Sequence, residues 1–381
     1  MTTGIHRVVR RAVFVLLLAL ALAVAGAGPA AALSRTPIPL GLPTHLAVGV
    51  SDSPGDAQAL RAHAPVDMRY QYLAGGVNTG HGWATWNPNG SFVSMYVRES
   101  VAAHMIPVFT YYQLLQSTPS VGANEEARDL SNLRDPATMR AYWADYSLLL
   151  RRVAGSAGSH RAIIHVEPDL WGYLEQAGAT GLARSFAHHL IALRDRLAPH
   201  VLLAWHLSVW GTKEDPTYSK PSLQHMDQLA AKSAAFYESL HAHFDLVFND
   251  VTDRDAGYYQ HVEGNPNTWW GPADFVRHDH YIAGFTRRTH TAVLLWQLPV
   301  GDTQENDTWD HSRDNRLQWW LGAGSAAHRR GTAAAGVIGL LFGAGADGNT
   351  TPQTDGGLFY RLARRYEQDP LQLGTRVSPA G

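Results

Sequence analysis

Eight short apolar runs, separated by longer segments of helical periodicity, extend through most of this 381-residue chain. Most of the runs are continuously apolar, which is typical of parallel strands buried on both faces. Strands that alternate with helices form repeated β-α units around a parallel sheet, and eight units are the number that a closed barrel needs. We therefore predict an α/β fold, a single (β/α)₈ TIM-type barrel. The predicted strands are residues 46–50, 68–72, 106–111, 162–166, 201–207, 246–249, 292–297 and 336–342.

Helix signals occur between the predicted strands. Asp135 followed by Pro136 has the form of a helix start, with a capping side chain and a proline in the first turn. Behind this start, Tyr142, Leu149 and Val153 form an apolar stripe at helical spacing. The sequence predicts further helices over residues 182–197, 226–244 and 358–366.

The first 32 residues have the pattern of a secretory signal peptide. Basic residues precede an apolar run over residues 12–25, and Ala30-Ala31-Ala32 offers a small-residue cleavage site. The apolar run is too short for a stable membrane anchor. We expect a secreted, extracellular protein in which residues 33–373 form the barrel domain and residues 374–381 form a flexible C-terminal tail.

Composition narrows the class of function. The chain has no cysteine, so it has no disulfide and no thiol nucleophile. Removal of the three leader arginines lowers the formal net charge from −2 to −5, which argues against nucleic acid and anionic membranes as partners. With 12 tryptophans and only 17% charged residues, the chain suits a neutral polar ligand such as a sugar. We expect a monomer that binds carbohydrate.

The predicted strand over residues 162–166 leads directly into Glu167-Pro168-Asp169. Because catalytic groups of α/β barrels lie at the carboxyl ends of the strands, Glu167 and Asp169 are candidate catalytic residues. Two nearby carboxylates repel each other as anions, and partial desolvation raises the pKa of a carboxyl group. A raised pKa suits a proton donor to a glycosidic oxygen. The alternative structural roles are a hydrogen-bonded core acid for Glu167 and a helix cap for Asp169.

The run Ile-His-Val-Glu-Pro-Asp-Leu over residues 164–170 resembles the Ile-Glu-Pro-Asp strand end of glycoside hydrolase family six, an inverting cellulase family. This resemblance implies that Asp169 is the general acid. Glu-Pro at the end of a fourth strand also resembles the Asn-Glu-Pro signature of the clan A retaining glycosidases, which implies that Glu167 is the acid/base. Clan A enzymes have asparagine where this chain has Val166. Their nucleophile is a glutamate at the end of strand seven, and the corresponding position in this chain is near Gln297. A neutral amide cannot form a glycosyl ester, so inversion is favoured over retention.

A second acidic cluster follows the predicted strand over residues 246–249. Strands four and six are next-but-one neighbours, so carboxylates at their ends can reach the roughly 6.5–9.5 Å separation that leaves room for a water in an inverting hydrolase. Asp250 is the first candidate for the general base, and Asp253 is the second. The alternatives are pairing with Arg254, a turn cap, or a structural Ca²⁺ site, although the full calcium-loop pattern is absent.

Long connections rich in Gly, Pro, Asn and Trp, residues 75–94, 256–274 and 301–314, follow three of the predicted strands. Long loops on the C-terminal face of a barrel usually belong to the binding site. Their aromatic side chains either line a saccharide groove or pack the loops onto the barrel; they are Trp83, Trp86, Tyr258, Tyr259, Trp269, Trp270 and Trp309. The predicted substrate-binding residues at strand ends are Tyr70, Tyr72, Tyr112, His206, Trp210, Asn249, Asp253, Trp296 and Gln297.

Other chemistries are disfavoured. The chain has neither a Gly-x-Ser-x-Gly elbow nor a dinucleotide fingerprint after a strand. His278-Asp-His280 resembles a metal pair but precedes strand seven instead of ending a strand, and we expect neither a metal nor a cofactor. The sequence thus predicts a secreted glycosidase that cleaves a polysaccharide or oligosaccharide by carboxylate acid–base catalysis. The alternatives are a non-catalytic glycan-binding barrel derived from a glycosidase, and a metal-dependent deacetylase or amidase.

Overall fold

A computed structural model of the chain describes residues 37–343 and 345–374. The predicted signal peptide, residues 1–32, lies outside the described residues, as does the predicted tail beyond Gly374. Within the described ranges, every helix is too short or too polar to cross a membrane.

Eight parallel strands form one closed barrel in which neighbours in sequence are neighbours in space, and β8 pairs back onto β1. Every predicted strand coincides with an observed one, and the ends differ by no more than one residue. The predicted (β/α)₈ TIM-type barrel is therefore confirmed. The strands are β1 Ala47–Ser51, β2 Met68–Leu73, β3 Ile106–Tyr111, β4 Ala162–Val166, β5 Val201–His206, β6 Leu246–Asp250, β7 Val293–Leu298 and β8 Val337–Phe342.

The α-helices of the described residues connect the strands and cover the outside of the barrel. They are α1 Ala57–His63, α2 Ser91–Ala102, α3 Glu125–Arg134, α4 Pro136–Ala157, α5 Pro168–Gln176, α6 Thr180–Leu197, α7 Pro216–Ser219, α8 Leu223–Ser239, α9 Ala256–His261, α10 Pro272–Thr289, α11 Arg316–Leu321, α12 Ala326–Ala334 and α13 Leu358–Tyr366. Short 3₁₀ helices occur at Trp83–Thr85, Pro88–Gly90 and Pro266–Thr268.

The helix ends follow local capping chemistry. The Asp135 side chain accepts a hydrogen bond from the Thr138 backbone N–H, and Pro136 is the first residue of α4, as the sequence predicts. The prediction for residues 226–244 is wrong at its C-terminal end, because α8 ends at Ser239. Two residues later His241 adopts a left-handed conformation (φ 48°), which breaks the helix before β6 begins.

Aromatic and imidazole rings fill the upper interior of the barrel. His165 of β4 stacks on Phe248 of β6 with ring centroids 4.4 Å apart, and it meets Trp296 of β7 edge-on at 4.7 Å. Tyr70 of β2 packs against Trp296 at 6.4 Å. All four side chains are buried. This ring layer closes the barrel, so a binding pocket at this end lies above it.

Buried carboxylates tie together the loops that follow β6, β7 and β8. Asp255 accepts hydrogen bonds from the backbone N–H groups of Gly301 at 3.3 Å and Thr350 at 2.7 Å. Asp314 accepts one from the Ala256 N–H at 2.8 Å. Each carboxylate satisfies buried backbone donors of a neighbouring loop. The loops after β6, β7 and β8 are therefore hydrogen-bonded to one another over the C-terminal face of the barrel.

Candidate active site

The chain turns sharply after β4. Glu167 adopts a left-handed conformation (φ 45°, ψ 69°), and Pro168 is the first residue of α5. This conformation is uncommon for a residue with a side chain and costs about 1–3 kcal/mol. In a regular strand, residues two apart would share a face. The turn instead sends the side chains of Glu167 and Asp169 in different directions.

The Glu167 side chain lies behind the barrel rim, where it is fully buried. Its carboxylate accepts hydrogen bonds from the backbone N–H groups of Gln113 at 3.0 Å and Leu114 at 3.2 Å, and the Tyr142 hydroxyl lies against it. Burial raises the pKa of Glu167 to about 8, and the backbone N–H groups oppose the rise. The structure does not bring this candidate acid to the pocket. Its contacts are those of the alternative role, a hydrogen-bonded core acid.

Glu167→Gln is expected to retain most of the activity and to change how stability depends on pH. The folded-state pKa of about 8 lies above the ordinary value of 4.5, so the unfolded chain releases this proton first as the pH rises. The wild-type protein therefore loses stability, relative to the glutamine variant, between these two values. Denaturant unfolding at about pH 5 and about pH 8.5 measures the effect. A difference in unfolding free energy that is the same at both pH values would contradict the burial argument.

Asp169 lies in the first turn of α5 and lines the pocket above the ring layer. The Tyr112 hydroxyl donates a hydrogen bond to its Oδ2 at 2.7 Å. Burial raises the pKa of Asp169; the Tyr112 hydrogen bond and the nearby His206 lower it, and the charge of Asp250 raises it further. Asp169 thus has the environment that the sequence predicts for a proton donor.

Asp250 is the last residue of β6 and lines the same pocket. Its Oδ1 lies 3.0 Å from Nε2 of His206, at the end of β5. It is close enough to Asp169 for its charge to raise the pKa of that residue. Two carboxylates therefore face one pocket, from strands on either side of β5.

A chain of buried side chains leads from Asp250 into the barrel. Nδ1 of His206 lies 3.0 Å from Nε2 of His165, and Nδ1 of His165 lies 3.3 Å from the Thr110 hydroxyl. Burial lowers the pKa of His165 well below its ordinary value, so the ring is neutral and has one N–H donor. Because a carboxylate only accepts hydrogen bonds, His206 donates from Nε2 to Asp250. This arrangement holds the Asp250 carboxylate in place as an acceptor.

The pocket has a volume of about 510 Å³. It brings together most of the side chains that the sequence singles out at strand ends. Those that line it are Tyr72, Tyr112, Asp169, His206, Trp210, Asp250, Asp253, Trp296 and Gln297.

Two predicted substrate-binding residues are not among its lining. Tyr70 is fully buried beneath Tyr72, with ring centroids 6.4 Å apart. Asn249 faces the helices, because Phe248 and Asp250 on either side of it point inward. Its amide donates to the Leu207 carbonyl at 2.7 Å and accepts from His278 of α10 at 2.8 Å. Tyr70 thus lies below the pocket and Asn249 behind it, and a role of either in binding substrate stays a prediction.

The end of β7 carries an amide where a retaining glycosidase of clan A has its nucleophile. Gln297 has a left-handed backbone (φ 55°), and its side-chain amide donates to the Tyr72 hydroxyl. The Tyr72 ring in turn packs on Trp296 at 5.6 Å. This group can hydrogen-bond a sugar, but it cannot act as a carboxylate nucleophile.

Among the pocket residues that the sequence does not predict are two acids and two tyrosines: Glu125, Asp215, Tyr173 and Tyr218. Tyr173 lies one helical turn after Asp169 on α5, and its ring packs on Trp210 at 5.0 Å. The i, i+4 spacing from Asp169 is a signal that identifies it once Asp169 is placed in a helix. Asp215 caps α7 by accepting a hydrogen bond from the Thr217 N–H, and its sequence gives no sign that it also borders a pocket.

Two of the loop aromatics are buried and serve packing. Trp83 is buried and donates to Asp145 at 2.7 Å, and Trp270 is buried against Phe275 at 5.1 Å. None of the seven predicted loop aromatics is among the residues that line the pocket in the described part of the chain. Trp309 is 65% exposed and borders a second pocket beside the first.

The histidine pair of α10 does not form a metal centre at the pocket. His280 lies 3.0 Å from Asp227, while His278 is bound to Asn249. Across residues 37–343 and 345–374, a cluster with the spacing of metal ligands occurs at His45, Asp67 and Glu367. These residues lie beside the N-terminal ends of β1 and β2, at the opposite end of the barrel from the pocket.

No protein-family model matches the chain, and no curated protein matches it in sequence. Among solved structures, an endo-β-1,4-mannanase from Cellulomonas fimi, described with the glycoside hydrolase family 26 mannanases, matches with TM-score 0.55 and 12% identity over 86% of this chain and 71% of that chain. A double mutant of a C. fimi endo-β-1,4-mannanase matches with TM-score 0.53, 12% identity and the same coverage. An engineered protein matches with TM-score 0.55 and 13% identity over 86% of this chain and 69% of that chain. At these identities the likeness establishes the fold alone.

Proposed function

We propose that the protein is a secreted glycoside hydrolase that cleaves a polysaccharide or oligosaccharide with inversion, using Asp169 as general acid and Asp250 as general base. The observation that carries the proposal is the position of these two carboxylates on one pocket, at the ends of β4 and β6. Inverting hydrolysis needs two carboxyl groups on opposite faces of a sugar ring. Secretion is proposed from the leader pattern of residues 1–32.

Asp169 suits the proton donor. Burial raises its pKa, which increases its protonated fraction at any given pH. Tyr112 occupies Oδ2, so Oδ1 is left to carry the proton. This oxygen protonates the glycosidic oxygen as the bond to the departing sugar breaks.

Asp250 suits the group that activates water. His206 donates to Oδ1, which leaves Oδ2 to accept a proton from the attacking water. The water oxygen bonds to the anomeric carbon on the face opposite the departing sugar, and its proton passes to Asp250. His206 and His165 act as positioning residues, because their hydrogen bonds hold the carboxylate at one orientation.

Gln297 supports inversion, because a β7 carboxylate for double displacement is missing. The same amide also supports the alternative, a non-catalytic glycan-binding barrel. The acid pair on one pocket favours catalysis over that alternative. The fold shared with β-1,4-mannanases makes β-1,4-linked mannans and glucans the first substrates to test.

A hydrolysis screen tests the proposal. The secreted chain is incubated with plant, fungal and bacterial cell-wall glycans, in parallel with the Asp169→Asn/Asp250→Asn double variant. The wild type is expected to release reducing ends from at least one glycan, and the double variant none above background. Binding without release by the wild type would favour the non-catalytic barrel, and release that survives the double change would reject these two acids.

The pH profile of kcat/KM is expected to have an alkaline limb set by Asp169. The acid must be protonated, so the rate falls as the pH rises through its pKa, and burial moves that fall to higher pH than for an exposed aspartate. Tyr112→Phe removes a hydrogen bond that lowers this pKa and is expected to move the limb to still higher pH. An alkaline limb at the same pH in wild type and variant would show that another group sets it.

A further inference from the structure

A second pocket, of about 450 Å³, adjoins the first on the side of β7 and β8. Tyr72 and Gly345 line both pockets, so the two spaces share a boundary within the described residues. The loop after β7 supplies Trp309 and Asp310 to the second pocket, and the loop after β8 supplies Asp347. None of these three has a part in the proposed acid–base step.

Trp309 is presented to solvent on a well-anchored turn. Its side chain is 65% exposed. The turn is closed by a β-bridge between Thr308 and His311, and the Asp310 N–H donates to the Gly348 carbonyl at 3.2 Å. A Cβ atom added at Gly348 would lie 2.9 Å from the indole, so the ring rests directly on that backbone. An aromatic side chain held in this way loses little conformational freedom when a ligand stacks on it.

The first pocket has an aromatic pair of its own. Tyr173 of α5 packs on Trp210, which follows β5, with ring centroids 5.0 Å apart, and both residues line the pocket. Aromatic side chains therefore border both pockets, beyond β4 and β5 in the first and beyond β7 in the second.

The lining of both pockets is acidic. Among the described residues that border them, seven are aspartate or glutamate and none is lysine or arginine. A surface lined by one sign of charge repels ligands of the same sign. Glycans that carry carboxylate or sulfate groups are therefore disfavoured, whereas uncharged and amino-sugar chains are not.

We infer that the two pockets form one cleft that binds several consecutive sugars of a glycan without acidic groups, with Trp309 stacking on a ring remote from Asp169 and Asp250. This deepens the proposed function and rests on it. Aromatic rings offer large apolar faces, and the C–H faces of sugar rings pack on them. A cleft with such rings in both adjoining pockets holds a chain that extends beyond the acids, so the expected cleavage is within the chain (endo action).

Binding is measured by calorimetry on the Asp169→Asn variant of the whole secreted chain, so that substrate is not consumed. The probes are the disaccharide and hexasaccharide of β-1,4-mannan, cellulose and chitosan, with hexagalacturonate as the acidic control. In at least one of the three series, the hexasaccharide is expected to bind at least about tenfold more tightly than the disaccharide, and hexagalacturonate is expected not to bind. Adding Trp309→Ala is expected to remove about tenfold of the hexasaccharide affinity and to leave the disaccharide affinity unchanged.

Trp86→Ala is the matched control, because Trp86 is 45% exposed and lines neither pocket. The proposed cleft would be overturned if the hexasaccharide bound equally well with and without Trp309, or if Trp86→Ala lost as much affinity as Trp309→Ala. It would also be overturned if affinity did not depend on chain length in any of the three series. The readout is independent of turnover. Trp309-dependent binding in a wild-type protein that releases no sugar would reject the proposed hydrolase and retain the cleft.

Discussion

Asp169→Asn is expected to lower the rate of glycan hydrolysis by about 10²–10⁴-fold, the usual contribution of a general acid. The amide has nearly the shape of the carboxyl group and still accepts the hydrogen bond from Tyr112. It cannot donate an acidic proton to the departing oxygen. The loss is therefore expected in kcat, with little change in KM or in melting temperature. Initial rates on the best substrate of the screen measure it.

Substrates with good leaving groups separate this role from simple damage to the pocket. An aryl glycoside with an acidic phenol needs little protonation, so Asp169→Asn is expected to retain much more of its activity on such a substrate. Glu167→Gln is the matched control, because Glu167 is two residues away but faces the backbone of Gln113 and Leu114. A greater loss in Glu167→Gln than in Asp169→Asn would reverse the assignment of the acid.

Asp250→Asn is expected to cause a loss of the same order, about 10²–10⁴-fold, because an amide cannot take the proton of the attacking water. The asparagine oxygen can still accept the hydrogen bond from His206, so the fold is expected to remain intact. Unlike the loss in Asp169→Asn, this loss is expected to persist on substrates with acidic leaving groups. The two variants are compared on the same pair of substrates.

Asp253→Asn is the control for the second position. Asp253 lines the pocket but is exposed, and its carboxylate accepts a hydrogen bond from Tyr259. A role limited to substrate contact predicts a loss of less than about tenfold, mainly in KM. If Asp253→Asn loses more in kcat than Asp250→Asn, then the base is Asp253. The hydrogen bond from His206 to Asp250 would then not serve to position the base.

The barrel follows from the sequence because parallel strands buried on both faces leave a simple pattern. Val293–Leu298 is apolar at nearly every position and buried throughout, so the run itself shows where the strand lies. Helix ends are less visible. The end of α8 at Ser239 precedes a left-handed residue, His241, and the glycine that usually marks a helix C-terminus is absent there.

The sequence predicts the site residues whose position is set by the end of a strand. It does not predict those whose side-chain direction is set by an unusual backbone conformation. The sequence identifies Asp169 and Asp250 as acids that follow strands, and both line the pocket. Strand alternation places Glu167 on the face of His165. The alternation fails because Glu167 has φ 45°, whereas a residue before proline is normally extended. His206 was predicted as a sugar ligand, but its contact with His165 joins residues 41 apart in sequence and emerges only when the barrel closes.

The anomeric form of the first product, followed by proton NMR from the start of the reaction, shows whether Asp169 and Asp250 cleave with inversion. A β-linked glycan cleaved by Asp169 and Asp250 in one displacement must first give the α-anomer, which then mutarotates. The α-anomer is expected to appear first in the wild-type reaction, and its formation is expected to be lost in Asp169→Asn. The β-anomer appearing first would show double displacement and contradict the pairing of these two acids.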